Sequence, residues 1–166
     1  MIDNQDAIRL VHYSGAPVAV MRSVTPGEGP AGLFKPRGLW VSVEGEDGWA
    51  AWCRESEFGE DRLTHVHDIL LRDDAKLVRI RNAGELDAFT DAYGTAMEGW
   101  MPGDRWIDWG AVAGDYQGVL IVPYLYNRRI TPHTSWYYGW DCASGCIWDA
   151  ASVASITLRT PAGAVP

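Results

Sequence analysis

The sequence of 166 residues predicts a single α+β domain built on a mostly antiparallel sheet. Short strands and helices follow one another without the regular strand–helix alternation that a parallel Rossmann-type sheet requires. The length suits one core, and a hydrophobic content of 47% with a charged content of 22% is ordinary for a globular domain. We expect one domain over residues 1–166, with an ordered core over about 8–159 and a frayed tail over 160–166.

The first half of the chain predicts four strands and one helix. A loop rich in proline and glycine, residues 24–36, separates the first two strands. After the second strand, residues 49–55 suit a short helix that places Trp49 and Trp52 on one face. The apolar runs that are typical of strands cover residues 9–13, 39–43, 64–71 and 76–81.

The second half predicts two helices and three strands. Residues 84–93 carry apolar residues at helical spacing, and residues 107–116 form a short helix that Asp108 can cap. Residues 94–106 lie between these helices as an ordered loop. Residues 73–74 form the turn between the strands predicted at 64–71 and 76–81. The three strands are predicted at residues 119–122, 146–148 and 155–158. The first of them is apolar enough for a buried central strand.

Charge and the absence of familiar motifs exclude several classes of function. A net charge of −8 disfavours general nucleic-acid binding, because such binding needs many cations to neutralise phosphates. The sequence has no G-x-G-x-x-G, P-loop, G-x-S-x-G or H-E-x-x-H pattern. It has no apolar run long enough to span a bilayer, and its acidic N-terminal segment lacks a signal-peptide pattern. We therefore expect a cytoplasmic protein with no membrane partner.

Cysteine and histidine spacing does not predict a metal site. Three cysteines fit free thiols better than a disulfide framework, and on a strand Cys142 and Cys146 would be too far apart to bridge. A zinc site at these thiols would need further ligands, and only His133 is near in sequence. His65 and His67 share a face of a predicted strand, where a structural role is the better interpretation. We expect no metal.

Residues 136–149 are the most informative segment of the chain. They hold three of the nine tryptophans, two tyrosines, two cysteines and two aspartates. An acid among aromatic rings suits a flat ligand that is cationic or that develops positive charge. Core packing is the alternative, because aromatic residues carry much of any core. Asp141 is the leading candidate acid, and its alternative role is a structural ion pair with Arg128 or Arg129.

Two short segments each combine a predicted strand with a polar residue near its end. Residues 11–15, Val-His-Tyr-Ser-Gly, are similar to the first motif of the ADP-ribosyltransferase superfold, in which a strand ends in His and a small polar residue follows. Residues 35–42, Lys-Pro-Arg-Gly-Leu-Trp-Val-Ser, are similar to the second motif, a Gly before an aromatic-bearing strand that ends in Ser. Residues 67–93 resemble the strand–turn–strand–helix section of small toxin-like members. The resemblance covers roughly residues 8–159 and implies a split sheet whose cleft holds NAD in a bent conformation.

The resemblance also implies how NAD, as the substrate, is bound. His12 and Ser42 would hold ribose hydroxyls, Trp40 would stack on the nicotinamide ring, and Lys35 with Arg37 would meet the pyrophosphate. The alternatives are a partly buried structural histidine, a serine that only ends a strand, a core tryptophan and two ordinary surface cations. The predicted NAD-binding residues are His12, Tyr13, Ser14, Lys35, Arg37, Gly38, Trp40, Ser42, Trp136 and Trp140.

Catalysis requires a negative charge beside the cation that develops when the nicotinamide–ribose bond breaks. The predicted catalytic residues are Asp141, Asp149 and His12. The third family motif usually supplies a Glu, but this chain has no Glu after Glu98. An Asp with a shorter reach must substitute, or Gln117 must orient the substrate without charge.

These observations predict an NAD-dependent ADP-ribosyltransferase or NAD glycohydrolase, as in a bacterial or phage conflict protein. Its partners would be a macromolecular acceptor and a protein inhibitor. RNA 2′-phosphotransferases share the superfold, but they bind phosphate with basic residues, and the acidic balance here argues against that activity. The alternative is a non-catalytic protein that binds a nucleotide or protein partner through an aromatic–arginine patch. That patch would consist of Trp136, Tyr137, Tyr138, Arg128 and Arg129.

Overall fold

The computed structural model describes residues 8–28, 34–96 and 101–159, which form a mixed, mostly antiparallel sheet with helices packed on it. The strands are β1 (Leu10–Ser14), β2 (Leu39–Val43), β3 (His65–Leu71), β4 (Leu77–Ile80), β5 (Gly94–Ala96), β6 (Arg105–Ile107), β7 (Gly118–Ile121), β8 (Ser144–Ile147) and β9 (Val153–Leu158). The α-helices are α1 (Trp49–Ser56), α2 (Ala83–Tyr93) and α3 (Trp109–Asp115). Short 3₁₀ turns cover Glu60–Leu63, Tyr126–Arg128, Pro132–Gly139 and Ala150–Ser152. The predicted α+β class is confirmed.

Seven strands pair in the order β4-β7-β8-β2-β1-β3-β9. Only the β4–β7 pair is parallel among the pairs that the structure describes in this sheet. The turn at residues 73–74 is present, but it does not close a hairpin, because β3 pairs with β1 and β9 whereas β4 pairs with β7. The strand predicted at 119–122 is found as β7, fully buried but second from one end of the order.

The sheet is continuous rather than split into two, which corrects one prediction. The β2–β8 pairing joins its two parts through four residue pairs. A partial opening remains between β1 and β2, which pair only at Leu10 with Val43 and at Val11 with Ser42. Beyond those pairs the His12 side chain, rather than the β1 backbone, reaches the carbonyl of Trp40. The two strands therefore diverge toward the C-terminal end of β1.

Each face of the sheet buries a separate hydrophobic cluster. One cluster is rich in aromatic residues and includes Trp109, Trp136 and Trp148, whereas the other is aliphatic and includes Leu39 and Val41. Trp40 lies between Leu39 and Val41 in sequence and packs against the aromatic cluster. Side chains of one strand alternate between the faces of a sheet, so β2 contributes to both clusters.

The other predicted elements are found with ends shifted by at most two residues. Asp108 caps α3, because its Oδ1 accepts a hydrogen bond from the backbone N–H of Ala111 at 2.9 Å. The loop predicted at 94–106 instead begins and ends in β5 and β6, which form a two-stranded antiparallel ribbon. The predicted tail, 160–166, lies outside the described residues, as does the middle of the loop predicted at 24–36. No helix in the described ranges is both long and apolar enough to cross a membrane.

Candidate functional site

A cavity of about 290 Å³ opens where β1 and β2 diverge. This cleft is bounded by both strands, by the first residue of α1 and by the segment that leads into β8. The predicted site residues that line it are His12, Tyr13, Lys35, Trp40, Ser42, Trp140 and Asp141. Trp49, Arg62, Cys142 and Ser144 also line it, and none of them was predicted. The volume is near the lower end of the range for small-molecule sites, about 300–1,000 Å³.

His12 enters the cleft as a neutral imidazole with a defined tautomer. Its Nδ1 lies 2.7 Å from the backbone carbonyl of Trp40, and because a carbonyl only accepts hydrogen bonds, Nδ1 carries the proton. Burial lowers the pKa of His12, and nearby His67 lowers it further, against the opposing effect of the Trp40 carbonyl. The remaining nitrogen, Nε2, is therefore an acceptor at neutral pH. It suits a hydroxyl donor of the kind found on a ribose.

His67 holds the strand on which His12 lies. The two residues face each other across β1 and β3, with ring centroids 5.8 Å apart. The Nε2 of His67 accepts a hydrogen bond from the backbone N–H of Val18 at 2.9 Å, so its proton is on Nδ1, which lies 3.3 Å from the His12 carbonyl. His67 is fully buried. It thus connects β1 to the loop that follows it, which agrees with the predicted structural role.

Tryptophans from three separate segments form the walls of the cleft. Trp40 and Trp140 meet edge to face with ring centroids 4.9 Å apart. Trp49 stacks on Trp52, with centroids 4.9 Å apart and planes 18° apart, so the two lie on one face of α1 as predicted. Trp40 and Trp49 are only half-buried, which leaves ring surface for a planar ligand.

Asp141 is the acid of the cleft, and two cations already engage it. The Nη2 of Arg129 donates to its Oδ1 at 3.0 Å, and the ammonium of Lys35 lies 4.0 Å from its Oδ2. Arg129 is the predicted structural partner, whereas Arg128 pairs with Asp87. Burial lowers the pKa of Lys35, and Asp141 acts in the opposite direction.

Lys35 lies between the carboxylate and the aromatic wall. Its Nζ is 5.2 Å from the ring centroid of Trp40, within the range of a cation–π contact. The 4.0 Å separation from Asp141 is too long for a direct hydrogen bond. Lys35 therefore balances the charge of Asp141 without covering it completely.

Two polar groups of the cleft serve the fold rather than a ligand. Ser42 Oγ accepts a hydrogen bond from the backbone N–H of Trp49 at 2.7 Å and lies 3.0 Å from the carbonyl of Val43, its acceptor. It therefore fixes the start of α1, a different role from the predicted hold on ribose. Cys142 is 4% exposed, and burial raises the pKa of its thiol to about 11. Cys142 is protonated at neutral pH and is not an activated nucleophile.

Asp149 and Trp136, both predicted in the site, lie elsewhere. Asp149 follows the opposite end of β8, where its carboxylate accepts hydrogen bonds from Gln117 and from the backbone N–H of Ala151. Those bonds hold the pKa of Asp149 below its usual value. Trp136 is 1% exposed in the aromatic core, and its indole N–H donates to Thr90 at 2.9 Å. Both have structural roles and are removed from the site.

The remaining predicted binding residues do not line the cleft. Ser14 donates its hydroxyl to the Ala16 carbonyl at 2.6 Å. Arg37 pairs with Glu28 at 3.5 Å, and together with Gly38 it borders a neighbouring groove, which shares Lys35 and Trp40 with the cleft. Gly38 has a φ of +154°, and a Cβ there would lie 2.2 Å from the Ile147 carbonyl. Close packing of β2 on β8, rather than ligand contact, explains this glycine.

The alternative aromatic–arginine patch is not available as predicted. Trp136 and Tyr137 are 1% and 0% exposed, whereas Tyr138 is 62% exposed. An interface anchor must reach the surface, so the patch loses two of its three rings. No group of three or more His, Cys, Asp or Glu side chains suited to a metal is found within residues 8–28, 34–96 and 101–159.

Comparison of the chain with models of known protein families, with curated proteins and with solved structures finds no match.

Proposed function

We propose that the cleft binds NAD, or a related nucleotide, and cleaves its nicotinamide–ribose bond. The observation that carries the proposal is the convergence of His12, Trp40, Trp49 and Asp141 on one cavity. These residues come from four separate segments, and together they provide ring stacking, a hydroxyl acceptor and a negative charge. We also propose that the fold is a variant of the ADP-ribosyltransferase superfold. The adjacent, diverging β1 and β2, which carry the two motifs, support this relationship.

In the proposed reaction, the bond between the nicotinamide nitrogen and ribose C1′ breaks, and its electron pair leaves with nicotinamide. Trp40 and Trp49 hold the ring, and His12 Nε2 accepts a hydrogen bond from a ribose hydroxyl. Asp141 stabilises the positive charge that develops on the ribose. A nucleophile on an acceptor, or water, then bonds to C1′ and releases a proton. The products are nicotinamide and either an ADP-ribosylated acceptor or free ADP-ribose.

A second candidate is a nucleotide-binding protein without turnover. The engaged state of Asp141 favours it, because Arg129 at 3.0 Å and Lys35 at 4.0 Å offset the charge that the reaction needs. The first candidate includes a conflict protein, that is, an enzyme whose cleft is covered by a protein inhibitor until the enzyme meets its acceptor.

Nicotinamide release and a thermal-shift titration with NAD test both candidates in the purified protein. If the cleft is an enzyme site, Asp141→Asn lowers release by about 100-fold or more, the order expected when one transition-state charge is removed. His12→Ala and Trp40→Ala weaken the NAD-induced shift. Asp149→Asn is the matched control and leaves release unchanged, since this carboxylate lies outside the cleft.

The outcomes separate the candidates. A thermal shift without release, lost in Trp40→Ala, supports nucleotide binding without turnover. Release that survives Asp141→Asn but not Asp149→Asn would show that the acid is misassigned. Neither a shift nor release from the folded wild type would refute both candidates.

A further inference from the structure

The net charge of the side chains that line the cleft is opposite in sign to the net charge of the whole chain. The protein carries a net charge of −8, but the cleft is lined by Lys35, Arg62 and Asp141. Asp141 is already balanced by Lys35 and, from outside the lining, by Arg129. The local balance is therefore positive, which favours a ligand with an anionic group.

Arg62 is the cation of the cleft that the fold leaves free. Within the described ranges, no ion pair within 4.0 Å and no hydrogen bond involves its guanidinium, although Glu60 and Asp61 lie on the same 3₁₀ turn. Its backbone N–H donates to the Gly59 carbonyl at 3.0 Å, which fixes the turn. The hydroxyl of Thr64 donates to the Ser14 carbonyl at 3.2 Å and ties the turn to the end of β1.

Arg62 and Lys35 lie on different sides of the cleft. The strand order places β2 between β8 and β1. Lys35 accompanies Asp141, which precedes β8, whereas the turn that carries Arg62 packs on β1 and is tied to the end of that strand by Thr64. A nucleotide whose ring stacks on Trp40 and whose ribose meets His12 would lie in the same cavity as Arg62, whose guanidinium is available to its 5′-phosphate.

We propose that Arg62 binds the phosphate of the nucleotide whose ribose His12 holds, so that the cleft selects a phosphorylated nucleotide over the corresponding nucleoside. This inference rests on the proposed function. The planar fork of a guanidinium matches two phosphate oxygens, which gives this contact geometric specificity. The assignment replaces the prediction that Lys35 and Arg37 meet the phosphates, because both are engaged with carboxylates.

Calorimetric titration with nicotinamide mononucleotide and with nicotinamide riboside, which differ by the phosphate alone, tests the proposal. The wild type should bind the mononucleotide roughly tenfold more tightly, the order expected of one charge-assisted contact at a partly exposed site. Arg62→Gln should remove this preference and leave riboside affinity unchanged. Arg54→Gln removes an exposed arginine of the neighbouring α1 that does not line the cleft, and it should retain the preference.

Failure of this inference is distinguishable from failure of the proposed function. Equal wild-type affinities for the two compounds, or a preference that survives Arg62→Gln, would refute the role of Arg62 while NAD binding stands. Loss of the preference in Arg54→Gln as well as in Arg62→Gln would show a general charge effect and would also refute it. Absence of binding by NAD and by both fragments would refute the proposed function, and this inference with it.

Discussion

Gly38 shows how a single residue controls the packing beneath the cleft. Its φ of +154° is unfavourable for other residues, and an added Cβ would lie 2.2 Å from the backbone carbonyl of Ile147. Because backbone cannot yield as a side-chain end can, Gly38→Ala should lower the free energy of unfolding by about 2–3 kcal/mol. Chemical denaturation measures this change.

Gly15→Ala is the matched control, because Gly15 follows β1 and a methyl group added there would have no atom within 4 Å. It should change the free energy of unfolding by less than about 0.5 kcal/mol. Equal stability of the two variants would show that β2 and β8 approach less closely than the structure indicates.

Site residues that lie on a short sequence motif could be predicted from the sequence, but the residues that other segments contribute to the cleft could not. His12 and Trp40 lie on short motifs, and the structure places both in the cleft. Trp49 lines it because Ser42 of β2 holds the start of α1, and Arg62 lines it because the following turn packs on β1. The sequence does not encode either contact locally. Asp149 is close to Asp141 in sequence, but the extended β8 lies between them and by itself spans about 10 Å.

At the scale of elements, the end of β9 is held by an ion-pair network that joins four segments. Arg159, which follows β9, donates to Asp68 of β3 and to Glu44, and Arg9 pairs with both acids. Hydrogen bonds from Arg159 are the largest cause of the lowered pKa of each acid. Solvent screening limits the value of a network this exposed, so Arg159→Gln should cost about 1 kcal/mol at pH 7.

The network's contribution has a defined pH dependence. The ordinary pKa is 4.5 for Glu44 and 3.8 for Asp68, and both are lowered in the folded protein. Each carboxylate therefore stabilises the fold fully at a pH above its ordinary pKa, and it loses that effect as the pH falls below this value toward the folded-state pKa. The difference in urea midpoint between wild type and Arg159→Gln should therefore shrink from pH 7 to pH 3. Arg79→Gln, at an exposed position of β4, is the control and should show no such trend. A constant difference for Arg159→Gln would argue against the ion pairs.

Element positions could be predicted more fully than element pairing. Apolar periodicity and turn residues are local, so the ends of β2, α1 and α2 follow closely from the sequence. Pairing depends on contacts between distant segments. The parallel β4–β7 pair and the β5–β6 ribbon therefore had no local signal, and the turn at residues 73–74 joins two strands that do not pair with each other.

At the scale of the whole molecule, the sheet separates an aromatic core from an aliphatic one. Folding also raises the pKa of several cysteine thiols and tyrosine phenols. Burial raises the pKa of Cys142 to about 11, and a hydrogen bond to Asp115 is the largest cause that raises that of Tyr93 to about 12. The residues whose pKa is also raised are Cys53, Cys146, Tyr13, Tyr124 and Tyr137. These groups come from separate parts of the chain between β1 and β8, so their effect reports on global unfolding.

The raised pKa values predict that the protein loses stability in alkali. A group whose pKa is higher in the folded state stabilises the fold fully below its unfolded value, here 9.0 for a thiol, and progressively less as the pH rises toward its folded value. Cys142 alone should account for a loss on the order of 2 kcal/mol between pH 9 and 11. Guanidinium midpoints should thus be constant from pH 7 to about 8.5 and fall steeply by pH 10.5. Cys142→Ala should reduce the steepness of that fall. A wild-type midpoint independent of pH up to 10.5 would contradict the prediction, because it would show that the thiols and phenols are as accessible in the folded protein as in the unfolded chain.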